Sequence, residues 1–185
     1  NIHDVRSFLG ICGYYRRFIA GFADIAAPLH ALTGKNIKFE WEAAHQTSFE
    51  TLKVKLTTAP VLAMPSNDQS FILDTDASDI GLGAVLSQLQ KGEERPVAYA
   101  SRTLSKPERN YETTRKELLA VVFGLKQFRQ YLLERPFTIR TDQSALGWLR
   151  RTPEPLPQLA RWLTFIEQFD YTIVHRDGRK HGNAD

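Results

Sequence analysis

The stretch Phe71–Gln88, FILDTDASDIGLGAVLSQ, constrains this chain more than any other. It opens on a β-rich run, Phe71-Ile72-Leu73, and passes through Asp74-Thr75-Asp76. Turn-forming residues follow (Ala77, Ser78, Asp79, Gly81, Gly83), and a second apolar run, Ala84-Val85-Leu86, leads away. A strand, a bend and a returning strand account for that order. Side chains alternate along a strand, so Asp74 and Asp76 share one face and Asp76 stands where the strand gives out. Beside residues this small, its carboxylate is open to a metal ion or a phosphate. Taken by itself, an Asp-Ala-Ser step reads more simply as a turn; the other acids of the chain have to decide between the two.

A chain of 185 residues holds one domain, or one domain with an appendage. With 42% hydrophobic and 24% charged residues it has the composition of a folded protein rather than a disordered one. No apolar run approaches the roughly twenty residues that span a bilayer, and no signal-peptide pattern opens the chain, so no membrane partner and no secretion are expected. Cys12 is the only cysteine, which excludes an internal disulfide and suits a reducing compartment. The chain starts at Asn1 rather than Met and stops at Asp185, as a piece of something longer would. Its net charge of +3 is a mild pull toward polyanions that an ordinary solvated surface also explains. If some acids are metal ligands, the remainder is a basic body around an acidic pit, which a metal-dependent nucleic-acid enzyme needs.

Apolar spacing predicts two helices over residues 4–33, the first carrying Val5, Phe8, Leu9, Cys12 and Tyr15, the second Ile25, Leu29 and Leu32, with Gly21 between them. On the first, Gly10, Tyr14 and Arg17 fall on one face at i, i+4 and i+7. A residue without a side chain, a flat ring and a phosphate-binding guanidinium can lie along a nucleic-acid groove; helix–helix packing explains the trio as well. Lys38–Trp41 reads as a short extended piece, 42–58 as a third helix and Pro65–Asp68 as a linker. We therefore expect a helical segment, 1–65, and a main domain, 66–185.

In the main domain the hairpin is followed by a third strand, Val97–Ala100, introduced by Pro96. A long helix spans Thr113–Leu132, with Leu118, Val121, Val122, Leu125, Phe128 and Leu132 as its buried stripe. A fourth strand runs Phe137–Thr141, a short helix Gln143–Arg151, and a further helix passes through Trp162 and Phe165 after a proline-rich break. Tyr171–Val174 is a fifth strand. The order βββαβαα(β) implies an α/β fold, a mixed five-stranded sheet with helices on both faces. A right-handed crossover through the long helix pairs strand four with strand one in parallel. Reactive groups then gather beyond the carboxyl ends of adjacent central strands.

Four acids are predicted to meet there. Asp76 ends strand one and Asp142 ends strand four. Glu117 lies early in the long helix, on the face of Val121, Gly124 and Phe128, where Gly124 lets the helix sit close to the sheet. Asp185 returns after the turn-like stretch His175–Asn183. Each has an ordinary explanation: a capping box Thr114-x-x-Glu117, an N-cap at Asp142, a surface residue at Asp185. Those explanations do not predict convergence, and clustered carboxylates repel unless cations neutralise them. An all-oxygen site suits Mg²⁺ or Mn²⁺, and two such ions activate water and stabilise the leaving oxygen of a phosphodiester. His175, in preference to His181, is placed to shuttle a proton.

LDTDASDIGLGAVLSQ, YETTRKELLAVVFGLKQFRQYL, FTIRTDQSALGWL and HRDGRKHGNAD together resemble the ribonuclease H domain of LTR-retrotransposon polymerases, the gypsy class most closely. The resemblance implies a ribonuclease H-like sheet in the order 3-2-1-4-5. It implies two Mg²⁺ ions held by Asp76, Glu117, Asp142 and Asp185, with Asp76 rather than Asp74 in the first position. Retroviral relatives carry a histidine ten positions before the last acid, which matches His175. The family continues beyond that acid with a further helix, which implies a C-terminal truncation at Asp185. VRSFLGICGYYRRFIAGFADIAAPLHALT resembles the end of a reverse-transcriptase thumb, which implies that Gly10 and Tyr14 track the minor groove of a template–primer. The implied partners are an RNA–DNA hybrid and the rest of a Pol polyprotein, its polymerase palm and integrase. The implied location is cytoplasmic, in a virus-like particle, or nuclear. The expected activity is endonucleolytic cleavage of the RNA strand of RNA–DNA hybrids. The rival expectation is a catalytically silent module that binds hybrid or duplex, or that connects polymerase subunits.

Overall fold

The computed structural model describes residues 1–35, 37–58, 62–141, 147 and 157–175. Helix α1 spans Ile2–Tyr14, capped by Asn1, whose side chain accepts the His3 and Asp4 amides while Asp4 reaches back. A 3₁₀ turn, Arg16–Phe18, separates it from α2, Phe22–Leu32, which Gly21 enters at φ +64°. Helix α3 is Ala43–Thr57. Val5, Leu9, Cys12, Ile19, Phe22, Ala26, Leu29 and Leu52 form one buried cluster among these helices. Burial pushes the Cys12 thiol up to about 11, so it packs as an inert apolar group.

Strand β1 (Phe71–Ala77) pairs antiparallel with β2 (Gly81–Gln90), which pairs with β3 (Glu93–Thr103). On its other side β1 pairs in parallel with β4 (Phe137–Thr141), and β4 with β5 (Tyr171–His175). The order is β3-β2-β1-β4-β5, so the acidic strand is central. The connection from β3 to β4 carries α4 (Lys106–Arg109), α5 (Thr113–Gln127) and α6 (Arg129–Leu132); α7 (Pro157–Ile166) precedes β5. The second buried cluster unites β1, β2 and β4 with α5, α6 and α7 through residues such as Leu73, Leu86, Leu118, Val121, Leu125, Ile139 and Trp162.

Several boundaries differ from the expectations. β2 and β3 run well past their apolar stretches, because backbone pairing continues through polar residues as far as Gln90↔Glu93. Pro96 lies inside β3, opposite Ser87 at an irregularity in register, and tolerably so because β3 is an edge strand. The long helix breaks at Phe128 (φ −107°, ψ 17°) into α5 and α6, yet Phe128 and Leu132 stay buried, so apolar spacing cannot register the break. Lys38–Trp41 forms no strand among the described residues. The helix expected over Gln143–Arg151 lies outside the described residues except for Gly147, which is helical. No helix among the described residues is long and apolar enough to cross a membrane.

Helix α5 packs on β1 and β2 through Gly124. A Cβ there would stand 3.1 Å from Thr75 Cγ2, 3.2 Å from Leu73 Cδ1 and 3.3 Å from Ala84 Cβ. Helix α2 lies on the other face: its Ala23 amide donates to Ser101 Oγ on the opposite side of the sheet (3.0 Å), and Arg16 donates to the Ser101 carbonyl. Gly124→Val should therefore cost about 1–3 kcal/mol of stability, because β1 and β2 leave no room for the added methyls; urea denaturation would measure it, and an unchanged midpoint would contradict the close approach.

Arg102, on β3, donates two hydrogen bonds to Glu108 (2.8 and 2.9 Å), and Glu108 also accepts the Ser105 amide that starts α4 (2.8 Å). Arg102's hydrogen bond holds the Glu108 carboxyl down, from 4.5 to about 2. A carboxyl depressed by folding stabilises fully above its unfolded value and loses that contribution as pH falls through its folded one. Glu108→Gln should thus destabilise the chain by about 1–2 kcal/mol at neutral pH. In acid denaturation the gap from wild type should close between pH 4.5 and about 2.

Candidate active site

Asp76 is partly buried on β1, opposite Gly83 of β2. Gly83 in turn faces Ser101 of β3, so Asp76, Gly83 and Ser101 share the side of the sheet that α2 covers. They line a cleft of ≈ 40 Å³ together with Gly21 and Asp24, the latter projecting from the first turn of α2. Asp74 shares the face, as expected, but has different work. It is 1% exposed and ion-paired with Arg140 of β4, which also pairs with Glu94. Burial disfavours the Arg140 charge, but donating to Glu94 and Asp74 outweighs that and raises its pKa above the ordinary value. Asp74 is thereby a structural acid, whereas Asp76 stands at a cleft.

Helix α5 carries Glu117 on the other side of the sheet. Leu73 and Thr75 point to α5, so Asp74 and Asp76 point away from it. From Gly124, two turns back along α5, roughly 10 Å, lead to Glu117. The direction is fixed by Lys116, whose Nζ bonds Asp79 Oδ1 (2.9 Å) just beyond the end of β1. Asp76 stands near the end of β1 on one face, and on the other face the packing of α5 brings its second turn, where Glu117 follows Lys116, toward the same strand end. The capping-box explanation of Glu117 fails: Glu112 is the N-cap, without a side-chain bond, and Glu117 lies beyond the first turn.

Asp142, Asp185 and His181 lie outside the described residues, as does the His175 side chain. The His175 backbone closes β5 and is paired with Thr141, the residue before Asp142. Among the described residues no group of three or more His, Cys, Asp or Glu forms a metal cluster; Asp76 and Glu117 are two of the four expected ligands. Their hard carboxylate oxygens, with no sulfur or described imidazole beside them, fit Mg²⁺ or Mn²⁺.

The expected nucleic-acid face is altered in one respect. Gly10 and Tyr14 lie on α1, but the helix ends at Tyr14, and Arg17 sits in the 3₁₀ turn with its guanidinium 4.9 Å from the Phe18 ring centre. Arg17 is thus off the helical face. Tyr14 is 79% exposed, against Tyr15 edge-on, and open space surrounds Gly10. Packing by another helix among the described residues accounts for neither. Three residues beside the site escaped sequence reasoning: Asp24, Lys116 and Ser101. Asp24 comes from a helix remote in the chain, and Lys116, 8% exposed, looks in sequence like any helical surface lysine.

Residues 41–139 match the family described as the RNase H-like domain found in reverse transcriptase. The chain is 40% identical over 183 residues to the retrovirus-related Pol polyprotein from transposon 297 of Drosophila melanogaster, covering 98% of this chain and 17% of that protein. It is 36% identical over 190 residues to the transposon Tf2-3 polyprotein of Schizosaccharomyces pombe, covering 100% and 14%. It thus spans well under a fifth of either relative. A solved foamy viral protease-reverse transcriptase in complex with RNA/DNA hybrid superposes with a TM-score of 0.76 at 21% identity, over 100% of this chain and 26% of that one, a likeness of fold. With the acidic strand central, the crossover helix seated by Gly124 and these matches in hand, the chain belongs to the RNase H-like domains of reverse transcriptases, and its relatives are retrotransposon Pol polyproteins.

Proposed function

We propose that this chain is the ribonuclease H part of a retrotransposon reverse transcriptase, a metal-dependent endonuclease that cuts the RNA strand of an RNA–DNA hybrid and leaves 5′-phosphate and 3′-hydroxyl ends. The observation that carries the reading is the packing of α5 on β1, which supports Asp76 and Glu117, from two elements distant in sequence, belonging to one site at the end of the central strand. Asp142 follows directly on β4, the parallel neighbour of β1, which supports its membership of the same set. Asp76, Glu117, Asp142 and Asp185 would hold two Mg²⁺, or Mn²⁺. Bound there, the ions supply activation of a water and charge stabilisation at the scissile phosphate. The carboxylates orient that site; His175, next to the end of β4, would carry a proton to or from it. Choice of hybrid over DNA duplex would come from the 2′-hydroxyls and the shape of the helix.

The proposed division is 1–65 for the thumb or connection segment and 66–185 for the nuclease domain, supported by the separation of the two buried clusters. Tyr14, with Gly10 and more loosely Arg17, would meet the template–primer, and the remaining partner would be the rest of the Pol polyprotein, palm and integrase included. The place of action would be the cytoplasm, in a virus-like particle, or the nucleus.

Labelled RNA in a hybrid should be cleaved in Mg²⁺ and left whole in EDTA, and Asp76→Asn or Asp142→Asn should reduce cleavage to background with the fold intact. Binding of hybrid without any Mg²⁺-dependent cleavage would instead identify a silent module. Tyr14→Ala should weaken hybrid binding roughly fivefold, on the order of 1 kcal/mol, without changing metal dependence. An unchanged Kd would remove Tyr14 from the interface.

A further inference from the structure

The turn that follows Asp76 is held from both faces of the sheet. From the α2 side, Asp24 Oδ2 accepts the Ser78 hydroxyl (3.0 Å). Ser78 Oγ accepts the Gly81 amide (2.9 Å) and the Ile80 amide (3.3 Å), and the Ser78 amide donates to the Gly81 carbonyl (2.9 Å). Gly81 is shaped to Asp24, since a Cβ there would stand 2.1 Å from Asp24 Oδ1. From the α5 side, the nearly buried Lys116 bonds Asp79 Oδ1 (2.9 Å), although Asp79 itself is 98% exposed. The Leu104 amide, at the end of β3, donates to the Ile80 carbonyl (2.7 Å). Every residue from Ser78 to Gly81 is thus tied to an element other than its own strand or to the turn itself. Burying an ammonium to restrain a fully solvated carboxylate gains little as a surface ion pair. Its consequence is geometric: it fixes the loop between Asp76 and the second turn of α5, where Glu117 follows Lys116.

We propose that Asp24 and Lys116 are positioning residues that clamp the 77–80 turn from opposite faces and so fix the direction of the Asp76 carboxylate relative to Glu117. The N-terminal helical segment is then a working part of the nuclease site through α2, and not only a tether to the polymerase. This rests on the nuclease reading of Asp76. Displacing a carboxylate by a fraction of an ångström weakens the chemical step more than substrate binding, because metal and phosphate geometry is strict while hybrid binding is spread over a large surface.

The test uses the full chain with a labelled hybrid in Mg²⁺. Asp24→Ala and Ser78→Ala should each lower kcat roughly tenfold with KM for hybrid unchanged. The double variant should be no worse than either single one, and Asp24→Asn, which keeps an acceptor oxygen, should recover most of the loss. Ser78→Ala removes the bond from the turn side, so the comparison survives if Asp24→Ala does not fold. A second arm needs no turnover. The Ile80 and Gly81 amides should exchange hydrogen roughly tenfold faster in Asp24→Ala and in Lys116→Met, while Leu73 and Ile139 in the sheet keep their protection. Unchanged exchange at Ile80 and Gly81 overturns the clamp. Additive losses, or a loss confined to KM, overturn its role in positioning Asp76. Wild-type chain that fails to cleave while exchange behaves as expected refutes the nuclease reading and leaves the clamp standing.

Discussion

Close approach of α5 to the middle of the sheet is the constraint on which the rest depends. It exists because Gly124 offers no side chain where Thr75, Leu73 and Ala84 crowd upward. That contact does two things at once. It closes the main core, since Leu118, Val121 and Leu125 can reach β1 and β2 only if the helix lies low. It also sets the height and register of the helix, which decides where Glu117 stands relative to the end of β1. Stability and site geometry are therefore set by the same van der Waals contact, and a substitution there cannot alter one without the other.

The two faces of the sheet serve different ends. The α5 face is apolar and supplies most of the burial. The opposite face carries Asp74, Arg140 and Glu94, then Asp76, Ser101 and the α2 contacts, so it is held by charge and hydrogen bonds. Polar contacts of this kind contribute less net free energy than apolar burial, but they are directional. A face that must place a carboxylate in a defined direction is better served by them, and Asp74, locked by Arg140, leaves Asp76 as the acid of β1 that lines the cleft.

Much of this architecture was legible in the sequence because it rests on period. Strand β4 reads correctly from Phe137 to Thr141, and the six residues that apolar spacing names between Leu118 and Leu132 are all buried. Hydrophobic periodicity falls silent where burial continues but the backbone changes. It missed the break at Phe128, and it shortened β2 and β3 at their polar ends. The same blindness placed Arg17 on a helical face that ends at Tyr14. Near the proposed site, the placing of Asp76 late in β1 and of Glu117 early in α5 was readable from the sequence because each lies near an end of a periodic element. Asp24 and Ser101 were not, since their meeting depends on how α2 docks across the sheet, and no local pattern encodes that. The predicted shape of the long helix survived its wrong boundary because packing, not propensity, fixes it.

The central claim is that Asp76 and Glu117, entering from opposite faces, serve the same divalent cations. A Mg²⁺ titration followed through the side-chain carboxylate ¹³C resonances of both residues addresses it most directly. The account predicts that the two resonances move together with one apparent Kd, and that Asp142→Asn weakens both responses equally. Resonances that titrate at separate Mg²⁺ concentrations, or Asp76 moving while Glu117 stays still, would contradict it.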